Sequence, residues 1–126
     1  MKYNFDWSVV SNGAPYVTIS ELGLAFNAPS ASLLGNPEEV MIGFDEERLT
    51  IGVKAADHEV NPPLKTYVFN SRMNHGWIRI GCKDFVKYLS SLSMTQFSPA
   101  KKYVARFDKE SRILLVTIDI LSEESE

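Results

Sequence analysis

Tyr16-Val17-Thr18-Ile19-Ser20 lines up with Trp77-Ile78-Arg79-Ile80-Gly81, and Phe44-Asp45-Glu46-Glu47-Arg48-Leu49-Thr50-Ile51 lines up with Phe107-Asp108-Lys109-Glu110-Ser111-Arg112-Ile113-Leu114-Leu115. The offset drifts only from 61 to 64 residues, so the chain reads as one structural unit written twice. Two units of this length are each too small to bury an apolar face alone, and each is expected to complete the core of the other.

Working outward from these strands, residues 3–9 alternate Tyr3, Phe5, Trp7 and Val9 against Asn4, Asp6 and Ser8, the period of a half-buried strand. Ser11-Asn12-Gly13-Ala14-Pro15 reads as a turn, because Asn and Gly tolerate positive φ and Pro ends regular pairing. After a second turn at Glu21-Leu22-Gly23 comes a short extension over 24–26. A brief helix follows, with Asn27 placed to cap free amides, Pro29 early enough to need no donor, and Gly35 suited to the left-handed position that stops it. Strands over 40–44 and 49–53, joined by the exposed Asp45–Glu47 connection, close the first unit.

The polar, proline-stiffened stretch 55–64 reads as a linker. The second unit then runs strand 65–70, turn 71–76, strand 77–81, and an amphipathic helix over 83–93 with Phe85, Val86, Leu89 and Leu92 on one face. A final hairpin is built from 103–107 and 112–121, and residues 113–118 are apolar on both faces except Thr117, as a central, doubly covered strand requires. The predicted fold is a single α+β, β-rich domain over residues 1–126. It consists of two ββαββ units, about 3–54 and 65–120, forming a pseudo-twofold barrel or a continuous sheet with two helices, and a flexible acidic tail over 121–126.

Composition narrows the function classes. The chain has 126 residues, 44% of them hydrophobic, which is ample for one packed core. No apolar run is long enough for a membrane helix, and the first residues lack the layout of a signal peptide, so a cytoplasmic location without a membrane partner is expected. Cys82 is the only cysteine, which excludes an intrachain disulfide and a multi-cysteine metal site within one chain. Net charge is −3. Residues 1–60 hold three basic side chains against nine carboxylates, residues 61–120 hold ten against four, and the last six residues add three glutamates. Such dipolar charging can steer the two halves together, steer two chains together, or present a basic face to a polyanion.

The stretch Ile19-Ser20-Glu21-Leu22-Gly23-Leu24-Ala25-Phe26-Asn27, then Leu33-Leu34-Gly35, then Val40-Met41-Ile42-Gly43-Phe44-Asp45-Glu46 resembles the swapped-hairpin domain of AbrB-like transition-state regulators and related antitoxins. The likeness covers about 35 residues of the first unit. It implies a strand, a short helix ending in Leu-Gly and a closing hairpin with an acidic loop, in a barrel that the family builds from two chains. It also implies a DNA-binding role, exercised in that family by arginines after the Leu-Gly turn and along the short helix. Here Leu24 follows the turn and Ser30, Ala31 and Ser32 occupy the helix.

No catalytic residues, metal ligands or cofactors are expected. His58 and His75 lie in polar loops without partner histidines. A Cys82/His75 pair is a conceivable nucleophile–base combination, since Cys82 precedes the helix and amides at a helix start depress a thiol pKa. The glycines lie singly at turns and strand ends, with no phosphate loop among them. The basic residues of the second unit form the strongest candidate site: Arg72 and Arg79 flank a turn, Lys83 and Lys87 share a helical face, and Lys101-Lys102 opens the last hairpin. With Trp77 or Tyr88 nearby for stacking, they make a surface for a polyanion or a protein partner. The expected role is therefore a non-enzymatic binding protein engaging a macromolecule through this basic half, with self-association as a further form of partnering and an AbrB-like DNA-binding regulator as the alternative.

Overall fold

The computed structural model describes residues 13–56 and 65–118. The N-terminal strand over 3–9, most of the 55–64 linker with His58, and the acidic tail lie outside the described residues. Strands β1 (Tyr16–Ser20) and β2 (Gly23–Asn27) form the first hairpin and lead directly into helix α1 (Ala28–Leu33). Asn27 caps this helix as expected: its Oδ1 accepts from Ser30 N at 3.1 Å. At the other end Gly35 takes φ +84, and the amides of Gly35 and Asn36 donate to the carbonyls of Ser32 and Ala31. Paired bonds of this kind around a left-handed residue satisfy the last helical carbonyls.

Hairpin β3 (Glu39–Asp45) and β4 (Thr50–Ala55) follows. In its connection Asp45 Oδ1 accepts from the amides of Glu47 and Arg48, and Oδ2 meets Arg48 Nη1 at 3.0 Å. These contacts, the Arg48 amide first, hold the Asp45 carboxyl below its ordinary pKa. Beyond the linker the expected strand over 65–70 shrinks to β5 (Tyr67–Val68), and the expected turn contains a 3₁₀ turn (Asn70–Arg72) and strand β6 (Met73–Asn74). Strand β7 (Trp77–Gly81) and helix α2 (Lys83–Ser93) have the predicted bounds. Val86 and Leu89 of α2 are buried, whereas Leu92 is 40% exposed, so the apolar face is narrower than its sequence pattern.

The expected strand 103–107 divides. Strand β8 (Lys101–Val104) belongs to one sheet and β9 (Arg106–Asp108) to the other, with buried Ala105 at the crossing and its amide donating to Pro15 O. Strand β10 (Ile113–Thr117) pairs with β9 and β4. Lys101 and Lys102 are therefore not part of the last hairpin; they pair with β1.

Among the described residues two antiparallel five-stranded sheets result, β6-β7-β2-β1-β8 (sheet A) and β5-β3-β4-β10-β9 (sheet B), and they do not close into a barrel or merge into one sheet. The barrel expectation fails because the chain passes between the sheets at Phe69 and Ala105 while the sheets keep separate ladders. The 16–20 and 77–81 alignment is also offset by a strand: β7 runs straight into α2, and the strand that runs straight into α1 is β2, not β1.

Both sheets feed one core. Val17, Ile19, Leu24, Phe26, Ile78 and Ile80 come from sheet A, and Val40, Ile51, Val53, Leu114 and Val116 come from sheet B. Phe26 and Phe69 meet edge to face with ring centroids 5.2 Å apart. Each such fully buried ring contributes about 2–3 kcal/mol through the apolar surface it removes from water. Ile113 and Leu115, by contrast, are only half-buried, so among the described residues β10 is covered on one face rather than two.

Strands β2 and β7 approach closely at Gly23. A Cβ placed on Gly23 would lie 1.9 Å from Ile80 O and 2.9 Å from Cys82 N, both main-chain atoms that cannot swing aside. At Gly43, in contrast, an added methyl would enter open space, with nothing within 4 Å. Gly23→Ala is therefore expected to lower unfolding stability by roughly 2–4 kcal/mol and Gly43→Ala by less than about 1 kcal/mol, as read from the midpoints of urea unfolding curves.

Candidate functional site

Alternation along the sheet A strands sends Val17, Ile19, Leu24, Phe26, Ile78 and Ile80 inward, and it sends their neighbours to the opposite face. The registers sort that outer face into rows. Asn74, Trp77 and Asn27 are successive cross-strand partners, Tyr16 N donates to Asn27 Oδ1 at 3.0 Å, and Tyr16 pairs with Val104. Arg79, Ala25, Thr18 and Lys102 form the next row. The two rows lie two residues apart on each strand, about 7 Å, and Trp77 and Tyr16 are two strands apart, about 10 Å. Arg79 and Lys102 are exposed, Trp77, Tyr16 and Thr18 are half-buried, and Lys102 Nζ lies 4.5 Å from the centre of the Tyr16 ring.

The electrostatics of this face follow from its strands. Those of sheet A contain Arg79, Lys101 and Lys102 and no Asp or Glu, whereas those of sheet B contain Glu39, Asp45 and Asp108 against Lys54 and Arg106. Among the described residues the only ion pair is Arg48 with Asp45, so none ties Arg72, Arg79, Lys83, Lys87 or Lys102 to a described carboxylate.

The structure brings together part of the predicted basic cluster. Arg79 and Lys102 share the outer row; Lys101 takes the opposite, inward register against Ile19. Arg72 is exposed in the 3₁₀ turn before the edge strand β6. Lys83 and Lys87 are exposed on α2, where they line a groove of about 660 Å³ with Glu21, Leu22, Val86 and Phe97. Of the two proposed stacking residues, Trp77 belongs to the outer face. Tyr88 does not: its hydroxyl donates to Glu46 Oε2 at 2.5 Å and its ring packs edge to face on Phe44. That carboxylate bond holds the phenol pKa above its usual value. Tyr16 and Thr18 were not in the predicted cluster. Their alternation marks them as one face of a strand, but nothing local reveals that β8 brings Lys102 beside them.

The Cys82/His75 pair does not form. His75 precedes β7 and Cys82 follows it, so the length of that strand, on the order of 20 Å, separates them. Burial raises the Cys82 thiol pKa, outweighing the backbone hydrogen bond and the Lys65 charge that lower it. Among the described residues no group of three or more His, Cys, Asp or Glu is placed to hold a metal ion. A groove of about 710 Å³ between α1 and the β9–β10 turn is lined by Leu34, Met41, Lys54, Phe107, Lys109 and Arg112, with no carboxylate or histidine among the described residues of its wall. No described helix is long and apolar enough to cross a membrane.

No protein-family model, curated protein or solved structure matches this chain.

Because its folded-state pKa is raised, Cys82 holds less thiolate at a given pH than an ordinary thiol does. Its reaction with a chromogenic disulfide reagent at pH 8 is expected to be slower on the order of tenfold than that of an unstructured cysteine peptide. Adding denaturant should abolish the difference.

Proposed function

We propose that this protein is a non-enzymatic binding protein that engages a polyanionic macromolecule through the outer face of sheet A. The carrying observation is the row Arg79–Ala25–Thr18–Lys102, set in five strands that hold no carboxylate. A net charge of −3 opposes nonspecific attraction to nucleic acid, so the local field of this face has to supply the attraction. A strand surface with two cations about 14 Å apart matches repeated negative charge better than it matches one small anion. Arg72 at the edge of the same sheet and Lys83 just beyond the end of β7 extend the basic field.

The reading of two related units is supported by strand order. In sheet A the neighbours β2 and β7 each lead into a helix, and in sheet B the neighbours β4 and β10 are each the second strand of a hairpin. An AbrB-like relationship is supported by the sequence of hairpin, Asn-capped helix ending at Gly35 and closing hairpin in residues 16–55. A DNA-binding regulator of that kind would here have to use the sheet A cations, because α1 contributes only Ser30 and Ser32 as polar side chains.

Elution from a heparin column tests the proposal. The double variant Arg79→Gln, Lys102→Gln is expected to elute at clearly lower salt than the unaltered protein, because each lost phosphate-like contact reduces the salt slope by about one. Lys109→Gln, Arg112→Gln, which alters the other cationic groove, should elute unchanged. The reverse pattern would place the interface elsewhere and overturn the proposal, as would flow-through of the unaltered protein at low salt.

A further inference from the structure

We infer that the polyanion is a single-stranded nucleic acid lying across the strands of sheet A, its bases on the Trp77/Tyr16 row and its phosphates on the Arg79/Lys102 row. This inference rests on the polyanion reading and specifies its ligand. The observation behind it is that two aromatic side chains and two cations occupy adjacent parallel rows of one face. With the rows about 7 Å apart, a strand running perpendicular to the β-strands has its bases over one row and its backbone over the other.

The spacing selects against a duplex. Stacked bases in a duplex rise about 3.4 Å per step along each strand, whereas Trp77 and Tyr16 are about 10 Å apart. Bases that meet both rings must be unstacked from one another, which a single strand permits at little cost. Duplex readers also need a helix or a two-stranded ribbon to enter a groove; α1 presents no cation, and on α2 the exposed Lys83 and Lys87 line a groove that they share with Glu21. Aromatic rings on a sheet surface, with cations beside them, are the arrangement that accepts splayed bases by stacking.

The surroundings of the rings fit the role. The Tyr16 ring carries the Lys102 ammonium over its face, and that long, flexible side chain can exchange the ring for a phosphate. Thr18, between Ala25 and Lys102, puts a hydroxyl donor on the phosphate row. Asn27 lies between the two rings, but its amide is committed to Tyr16 N, Ser30 N and Ala14 O. Base recognition there is therefore mainly by stacking, and weak sequence preference is expected.

The test uses the full chain, a fluorescein-labelled 12-nucleotide oligo(U) and a labelled 12-base-pair duplex, compared by anisotropy at 50 mM and 200 mM salt. The single strand is expected to bind at least about tenfold more tightly than the duplex. Trp77→Leu should weaken oligo(U) binding by about 5- to 150-fold, the range that loss of one base–aromatic stack produces, with the salt slope retained. Arg79→Gln should instead lower the slope. In a Trp7→Phe background, oligo(U) should quench the fluorescence of Trp77, a readout that needs no alteration of the site. Trp77→Phe, which keeps a ring, should recover much of the affinity if Trp77→Leu loses stability. Equal affinity for duplex and single strand, or binding without quenching and insensitive to Trp77→Leu, would overturn the inference and leave the polyanion reading standing. Absence of binding to either nucleic acid, with heparin binding intact, would overturn the inference alone; loss of heparin binding as well removes both.

Discussion

The approach of Gly23 to the main chain of β7 is the constraint on which the arrangement of this protein depends. Only a residue without a side chain lets β2 come within hydrogen-bonding distance of β7 at that point, where a Cβ would collide with Ile80 O. The contact seats Gly23 opposite Gly81 and so determines the register of the whole pair. Leu24 then faces Ile80 and Phe26 faces Ile78 inside the core, and Ala25 and Asn27 meet Arg79 and Trp77 outside it. Because side chains alternate, a slip of one residue would exchange the two sets, exposing Ile78 and Ile80 and burying Arg79. Burial of the isoleucines and exposure of the basic–aromatic face are thus consequences of one register.

That register also changes the meaning of the charge distribution. Along the chain the carboxylates concentrate before residue 60 and the cations after it. In the fold, the segregation runs between sheets. Sheet A takes two strands from the acidic half, but these are β1 and β2, whose sequences carry no charge at all. Among the described residues, the carboxylates of the first half lie in β3 and in the Asp45–Glu47 connection of sheet B, and in Glu21 and Glu38 beside the strands. Neutral strands from one half and basic strands from the other therefore share one face, whose cations all come from the second half. An asymmetric surface on a chain of net negative charge arises in this way without a long basic run in the sequence.

Much of the local structure was legible from the residues. Asn27, Pro29 and Gly35 delimit α1 because capping and left-handed geometry are properties of single side chains. Bounds for β1, β7 and α2 follow from alternation and helical periodicity over five or more residues. Short elements were less legible. The 65–70 stretch keeps only two residues of strand because pairing with β3 extends only to Glu39 and Val40, and the apparently continuous 103–107 strand is cut at Ala105 by its transfer between sheets. Part of the candidate site shared this limit. Arg79, Lys102 and Trp77 stand out by residue type, but Tyr16 and Thr18 look ordinary until β8 is known to lie beside β1.

Local residue patterns dictate which segments can be strands, where the helices begin and stop, and which side of each strand is apolar, because those properties arise within a few neighbouring residues. Tertiary structure alone decided that the strands divide into two sheets instead of a closed barrel, that Lys101 and Lys102 leave the last hairpin, and that Arg79 and Lys102 share a row. The physical reason is that pairing between strands distant in the chain is set by shared burial and backbone fit, and no local propensity encodes which distant edge a strand will meet.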